Sequence, residues 1–239
     1  MINYINSRTN QKVVHASRLK DKKYIKEYQE FLVEGVKSLE LAVKSGLVKE
    51  VYTLKELKLP YNIVQFLVTP EIIDKISINQ NPEGVVAVCQ LIPEKKPEKF
   101  NKVVYLDDIS DPGNMGTLIR TALAFNYDAI ILSEKCVSIY NPKVVAASKG
   151  AIFSIPILNG SLKDYKKDHK VIASTLSDKT ISLEECEKPE SFILVLGNEA
   201  HGISQEVIKQ SDIFVKIPIE NIDSLNVAVA GGVLMYNFK

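Results

Sequence analysis

The chain has little of what would mark several common classes of protein. Its three cysteines, Cys89, Cys136 and Cys186, are odd in number, far apart and without a CxxC pair. That pattern argues against a disulfide framework or a zinc site and fits ordinary thiols in a reducing compartment. Three histidines in 239 residues do not make a metal site, so no metal is expected. No run approaches the ~18 apolar residues of a membrane span, and residues 1–12 are polar where a signal peptide would carry its apolar core. The expectation is a cytoplasmic protein that does not enter a membrane. Phosphate motifs are missing as well. Gly113 and Gly116 have neither the three-glycine dinucleotide spacing nor the Gly-Lys-Ser/Thr ending of a P-loop, which argues against a nucleotide-dependent oxidoreductase or NTPase.

What is present is a chain that is 46% hydrophobic and 25% charged, enough to bury one large core or two small ones. Its net charge of +1 hides an asymmetry. Residues 1–26 carry seven Lys/Arg against one acid, a surplus of +6, so the remainder sums to −5. A basic N-terminal element of this kind points to phosphate contacts, with Arg8, Lys12, Arg18, Lys20, Lys22 and Lys23 as candidate RNA-binding residues. The bland alternative is a solvated helix face. Tyr24 and Tyr28, interleaved with these lysines, either stack on bases or pack against their own domain.

Periodicity predicts a basic helix from about Gln11 to Gln29, a short strand at 31–35, and a helix from Val36 to about Ser45 that Gly46 stops in the left-handed conformation. Strands rich in β-branched residues follow at 48–54 and 63–68. Thr69 and Pro70 mark a helix start, and residues 84–89 form a buried strand. Residues 92–99, with two prolines and five charges, break the periodicity as a solvated linker. The boundaries are therefore 1–92, a linker at 93–100, and 101–239. Beyond the linker, strands at about 102–107, 128–132, 152–157, 170–175, 191–196 and 213–218 alternate with helices at 114–126, 142–149, 204–210 and 224–237. Such alternation calls for an α/β domain with a parallel sheet covered on both faces.

Chemistry gathers in three segments. Asp107 to Arg120 leads from an apolar strand through a glycine loop into a helix, with Asn114 and Arg120 near its N-terminus. Six positions are about 1.7 turns, so the two groups share an end of the helix but not a stripe. A capping Asn and a solvated Arg remain the plain alternative. The second segment, Phe192 to Ser204, contains Gly197-Asn198-Glu199-Ala200-His201-Gly202. The third runs from Ile217-Pro218-Ile219 to Ser224-Leu225-Asn226-Val227-Ala228-Val229-Ala230-Gly231-Gly232.

In order and spacing these three segments resemble the motifs of the SpoU/TrmH family of RNA 2'-O-methyltransferases. The likeness implies a SPOUT-type α/β domain whose C-terminal segment forms a trefoil knot, S-adenosylmethionine as cofactor, and a homodimer. It makes Asn114, Arg120, Glu199, Ser224 and Asn226 the catalytic shell. Cofactor contacts fall on Leu196, Gly197, Ile217, Ile219, Leu225 and Asn226, largely through backbone, with Thr175 and Leu176 at the adenine edge. The basic start and the Phe31–Gly35 segment resemble the small α/β, ribosomal-protein-like substrate-binding domain of ribosomal-RNA members, which makes 23S ribosomal RNA the expected target.

An arginine whose pKa lies above ~12 makes a poor base, so Arg120 is expected to position phosphate and stabilise a developing alkoxide. Glu199 is expected to hold Asn114 or Arg120; as an alternative it is a charge near the N-terminus of the helix at Ser204. Ser224 reads as the N-cap of the last helix. The small residues Ala228, Ala230, Gly231 and Gly232 permit close helix packing, either across a dimer or within the chain. Asn126 tolerates the left-handed conformation and preserves a helix stop. A transfer-RNA methyltransferase and a non-catalytic RNA-binding ribosome-assembly factor are the competing functions.

Overall fold

Short apolar runs separated by loops and helices become two sheets in the computed structural model, which describes residues 2–175 and 180–239. The chain divides into two units: residues up to Pro93 together with Ser138–Phe153, and Glu94–Val137 together with Ser154–Lys239.

The first unit contains strands β1 (Ile2–Ile5), β2 (Glu30–Glu34), β3 (Val48–Thr53), β4 (Val64–Val68) and β5 (Val85–Gln90), in the order β1-β4-β3-β5-β2. Helices α1 (Gln11–Arg18), α2 (Lys22–Tyr28), α3 (Val36–Ser45) and α4 (Pro70–Ile76) connect them. Several turn expectations hold. Gly46 ends α3 at φ 73°, and Thr69 and Pro70 open α4. The basic helix differs from expectation: it is two helices. Asp21 accepts a hydrogen bond from the Lys23 backbone N–H (2.8 Å) and restarts the chain as α2. Acceptance by a capping Asp competes with helix continuation, which is why the charge pattern alone concealed the break. β1 was also missed, because a four-residue strand at a sheet edge carries little periodicity.

The stretch after residue 137 packs with this first unit, although it follows the linker in sequence. The Tyr140 ring tilts against Phe31 at 5.0 Å between centroids, and its hydroxyl donates to the Ile92 carbonyl at 3.1 Å. Phe153 stacks on the other side of the same core, 6.0 Å from Phe31. Between them in sequence runs α6 (Pro142–Ser148), the helix that follows α5 (Pro112–Ala124). Gly150 lies at φ 86°, and an added Cβ would come within 2.5 Å of the Leu41 side chain. Both the turn and the close approach require glycine. The strand expected at 152–157 is therefore displaced. Residues Ala151–Phe153 form a 3-10 turn in this core, and the strand begins only after Pro156.

The second unit is an all-parallel seven-stranded sheet. Its strands are β6 (Lys102–Leu106), β7 (Ala129–Leu132), β8 (Ile157–Asn159), β9 (Lys170–Ser174), β10 (Ile181–Ser182), β11 (Phe192–Leu196) and β12 (Ile213–Lys216), in the order β10-β12-β9-β11-β6-β7-β8. Helices α5 (Pro112–Ala124), α7 (Gln205–Ile208) and α8 (Val227–Asn237) belong to it. Every residue of β11 is buried, as expected of a central parallel strand. Each such side chain contributes about 1.5–3 kcal/mol relative to exposure. Asn126 takes φ 56° just beyond α5, as its residue type allows. Among the described residues, no helix is long and apolar enough to cross a membrane.

Candidate active site

β6 and β11 are neighbours, with Leu106 opposite Leu196. From β6 the chain passes to β7 on one side; from β11 it passes beyond β9 to β12 on the other. Connections that leave adjacent parallel strands in opposite directions open a crevice at the strands' carboxyl ends. The loops following β6, β11 and β12 meet there.

The β6 loop is anchored at its root. The Asp107 backbone N–H donates to the Leu196 carbonyl (2.8 Å), and the Asp107 carboxylate accepts from the Ser204 N–H (2.7 Å). Burial pushes this carboxyl above the usual carboxylate range, although the Ser204 N–H pulls the other way. Asp108 follows at φ 58°, held by Ser133, whose hydroxyl donates to its carboxylate at 2.6 Å. Asp111 caps α5 by accepting from the Asn114 N–H at 2.8 Å. Asn114 is thereby fixed on the first turn of the helix.

The β11 loop is a tight hairpin. Asn198 and Gly202 exchange backbone hydrogen bonds of 3.0 and 2.9 Å, with Gly202 at φ 67°. Gly197 lies under this return. A Cβ there would fall 2.4 Å from the Gly202 carbonyl carbon and from the Ile203 nitrogen, both backbone atoms that have no easy retreat. The Asn198 amide donates to the Asp108 carbonyl (2.8 Å) and joins the first two loops.

The third loop ends at Asn226, and here the expected helix start is corrected. α8 begins at Val227, and Asn226, not Ser224, is its N-cap; the Asn226 side-chain oxygen accepts from the Ala228 and Val229 N–H groups at 2.9 and 3.3 Å. Asp223 and Ser224 lie in the loop before it. The other end of the Asn226 amide donates to the Asn114 oxygen at 3.0 Å, and the Asn114 nitrogen donates to Glu199 at 2.7 Å. One continuous chain of hydrogen bonds, Asn226 to Asn114 to Glu199, therefore ties together segments 85 and 112 residues apart.

Beside that chain lies a cavity of about 570 Å³, within the size range of a small-molecule site. Leu196, Ile217, Ile219 and Leu225 supply apolar wall, and Gly197, Glu199, Ser224 and Asn226 lie on the same lining. Thr175 reaches it from the end of β9. Leu176 lies outside the described residues. Asn114 meets the lining through its two partners. Arg120 is not part of the lining: it is exposed on α5, and among the described residues it has no hydrogen-bond or ion-pair partner. Gly231 fits within the chain, since a Cβ there would press on Leu118 (2.5 Å) and Leu196 (2.8 Å), whereas Gly232 faces open space.

Of the basic residues singled out near the N-terminus, Arg8, Lys12, Arg18, Lys20, Lys22 and Lys23 are all exposed. Lys12 forms an ion pair with Glu50 at 2.7 Å. The sequence reading missed Asp107, Asn198, Ser174 and Lys216. Asn198, Ser174 and Lys216 line the cavity, while Asp107 anchors its loops. Asn198 carried a signal in retrospect: an Asn just after a strand and next to glycine commonly closes an Asx turn, and its side-chain oxygen accepts from the Ala200 N–H at 2.8 Å.

Comparison with known proteins gives this geometry a family. Residues 10–87 match the MRM3-like substrate binding domain. The chain is 32% identical to the 23S rRNA (guanosine(2553)-2'-O)-methyltransferase RlmP of Bacillus subtilis, over 98% of each sequence. The crystal structure of an AdoMet-bound rRNA methyltransferase from Sinorhizobium meliloti superimposes with a TM-score of 0.89 at 27% identity, covering 99% of this chain and 97% of that one. Residues 101–236 match the SpoU rRNA Methylase family, so the three converging loops belong to a chain that is a member of that family.

Proposed function

We propose that this SpoU-family chain transfers a methyl group from S-adenosylmethionine to a ribose 2'-hydroxyl in 23S ribosomal RNA, at the cavity where the β6, β11 and β12 loops meet. The observation that carries this reading is the hydrogen-bonded line Asn226–Asn114–Glu199 on the rim of an apolar-walled cavity. The ribosomal target is supported by the activity of the Bacillus subtilis relative, which matches along nearly the whole chain.

The residues present fit the cofactor. Leu196, Ile217, Ile219 and Leu225 offer apolar walls to a nucleoside, with Thr175 at one end of the lining. Gly197 leaves backbone exposed where no side chain fits. When bound, S-adenosylmethionine supplies a methyl group on a sulfonium, ready for in-line attack by oxygen. The chain's part is alignment. Asn114, fixed by the Asp111 cap and by side-chain hydrogen bonds from Asn226 and to Glu199, cannot rotate without losing a partner, so the rim is set before substrate arrives. Such preorganisation removes the entropy of bringing the partners together. Glu199 places a carboxylate beside the cavity and holds the Asn114 amide. Ser224 adds a hydroxyl to the lining. Arg120, exposed more than two turns along α5, positions the phosphate next to the reacting ribose and stabilises charge on the oxygen as its proton leaves.

A homodimer belongs to the same reading. Val229, Val233 and Tyr236 form one exposed stripe on α8, at 55%, 40% and 57% exposure, and α8 packs on the helix that carries Arg120. A second copy covering this stripe would pack against the α5–α8 pair. Sedimentation equilibrium checks it: a monomer at micromolar concentration removes the proposal. The trefoil knot of the C-terminal segment is also proposed on family grounds, and a knotted chain pulled from its ends keeps a contour shorter than its full length. Residues 1–92 are assigned to RNA binding, 93–100 to a linker and 101–239 to methyl transfer, with the cytoplasm as the site of action.

Calorimetric titration with S-adenosylmethionine, followed by methylation of unmodified ribosomal and transfer RNA with mapping of the modified ribose, tests the function. Saturable cofactor binding and a 2'-O-methyl group in 23S RNA are expected. A chain that binds RNA but no cofactor is a ribosome-assembly factor instead, and exclusive modification of transfer RNA removes the ribosomal target.

A further inference from the structure

The break between α1 and α2 has a consequence for the first unit's surface. In a single straight helix, residues 15 and 28 would stand about 20 Å apart at 1.5 Å per residue. With the chain turned at Asp21, the His15 and Tyr28 rings stack at 4.5 Å between centroids and 22° between planes. Tyr24 continues the row, 5.6 Å from Tyr28 at 29°. The three rings form a ladder across the two helices. None is fully buried, and the His15 side chain is 36% exposed.

Cations flank the ladder. The Arg18 guanidinium donates to the Tyr28 hydroxyl at 3.2 Å and lies 5.4 Å from the centre of the Tyr24 ring. The Lys23 ammonium lies 5.3 Å from the same ring. At the far end, Glu30, itself buried, bonds the His15 ring at 2.6 Å and fixes its plane. His15 also lines a cavity of about 400 Å³ together with Gln11, Lys12, Glu30, Lys49 and Glu50, so the ladder opens onto a polar recess with both donors and acceptors.

We propose that the ladder His15–Tyr28–Tyr24 is a stacking platform for unpaired nucleotides of the substrate RNA, with Arg18 and Lys23 holding their phosphates. This rests on the RNA methyltransferase reading and adds to it which form of RNA the first unit takes and how. Interleaved rings and cations suit single strands, because every base has a face to stack and every linkage a phosphate to neutralise. A duplex hides its base faces and would meet the cations alone. The row therefore selects a loop or a splayed strand, not a helix.

Fluorescence anisotropy of the full chain with a labelled, unstructured oligoribonucleotide, and with a duplex of the same composition, tests the platform. The parent binds the single strand more tightly. Joint Tyr24→Leu and Tyr28→Leu substitution weakens that binding about tenfold or more, while Tyr24→Phe with Tyr28→Phe stays within about twofold. Cofactor affinity by calorimetry is the same in all three proteins. Leu variants that bind the single strand as the parent does overturn the platform, as does an equal loss on duplex. If the Leu protein does not fold, an oligonucleotide carrying 2-aminopurine decides with the unaltered chain: quenching on binding supports stacking, and unchanged emission overturns it. A parent chain that binds RNA but no S-adenosylmethionine breaks the methyltransferase reading and leaves the platform standing.

Discussion

Two cavities of this protein, one in each unit, are built on opposite plans. The recess of the first unit is walled by ions of both signs, in which Lys12 pairs with Glu50 and both His15 and Lys49 pair with Glu30. The cavity of the second unit is walled by aliphatic side chains and backbone, with its polar groups gathered in one line of two amides and one carboxylate. The difference follows from what each would contact. Phosphates and base edges exchange partners readily with solvated ions, whereas a nucleoside and a sulfonium call for shape and fixed dipoles. In the first unit charged side chains shape the recess. In the second the path of the backbone does so.

The sharpest break in that comparison is at Gly197. Gly197→Ala drives a Cβ into the backbone of the 202–203 return and is expected to abolish cofactor binding and cost about 2–4 kcal/mol of stability. Calorimetry and thermal denaturation measure the two effects, and an unaltered cofactor affinity would show that the backbone path is not what the ligand reads. Next comes Asn114→Ala, which strands the Glu199 and Asn226 side chains. Turnover should fall about a hundredfold, with the substitution's effect on cofactor affinity, measured separately, much smaller. Arg120→Lys keeps the charge but loses the planar fork; a drop in turnover of about tenfold is expected, with cofactor binding intact because Arg120 lies outside the lining. Near-normal turnover would rule out a role that depends on the fork.

The smallest effect belongs to the ionic recess. Burial disfavours the Glu30 carboxylate, but hydrogen bonds from Lys49 and His15 prevail and hold its pKa below the ordinary 4.5. A depressed carboxyl stabilises the fold above the unfolded-state pKa and loses that contribution as pH falls through the folded-state value. Glu30→Gln should therefore cost about 1–2 kcal/mol at neutral pH, with the gap to the parent closing in acid. Urea titrations at neutral and acid pH read this directly. A pH-independent gap would mean that Glu30 acts through packing alone.

How far the sequence was legible depends on whether a residue's task is local. Gly46, Asn126 and the Thr69-Pro70 pair announce backbone conformations that depend on their own chemistry, and each is found where expected. The strongly apolar segments that became β6 and β11 were equally plain. Ser224 was legible as a cap, yet Asn226 takes that place, with an amide that also reaches Asn114, a contact across 112 residues. The apolar run at 152–157 misled for a related reason. Its first residues pack in the first unit, where Phe153 lies against Phe31, and form a 3-10 turn instead of a strand. Asn114, Glu199 and Asn226 were named from the family likeness, yet the bonds that join them could be read only once the loops were placed.

The seat of Gly231 against Leu118 and Leu196 has a bearing on how the protein is made. α8 can dock only where a glycine lets it press onto α5 and β11, and its cap supplies the last link of the polar line. The loops after β6 and β11 precede that link in sequence, so the polar line stays incomplete until α8 has docked. Completion of the rim is thus coupled to the docking of α8, and a bulkier residue at 231 would loosen the Asn226–Asn114 link from a distance.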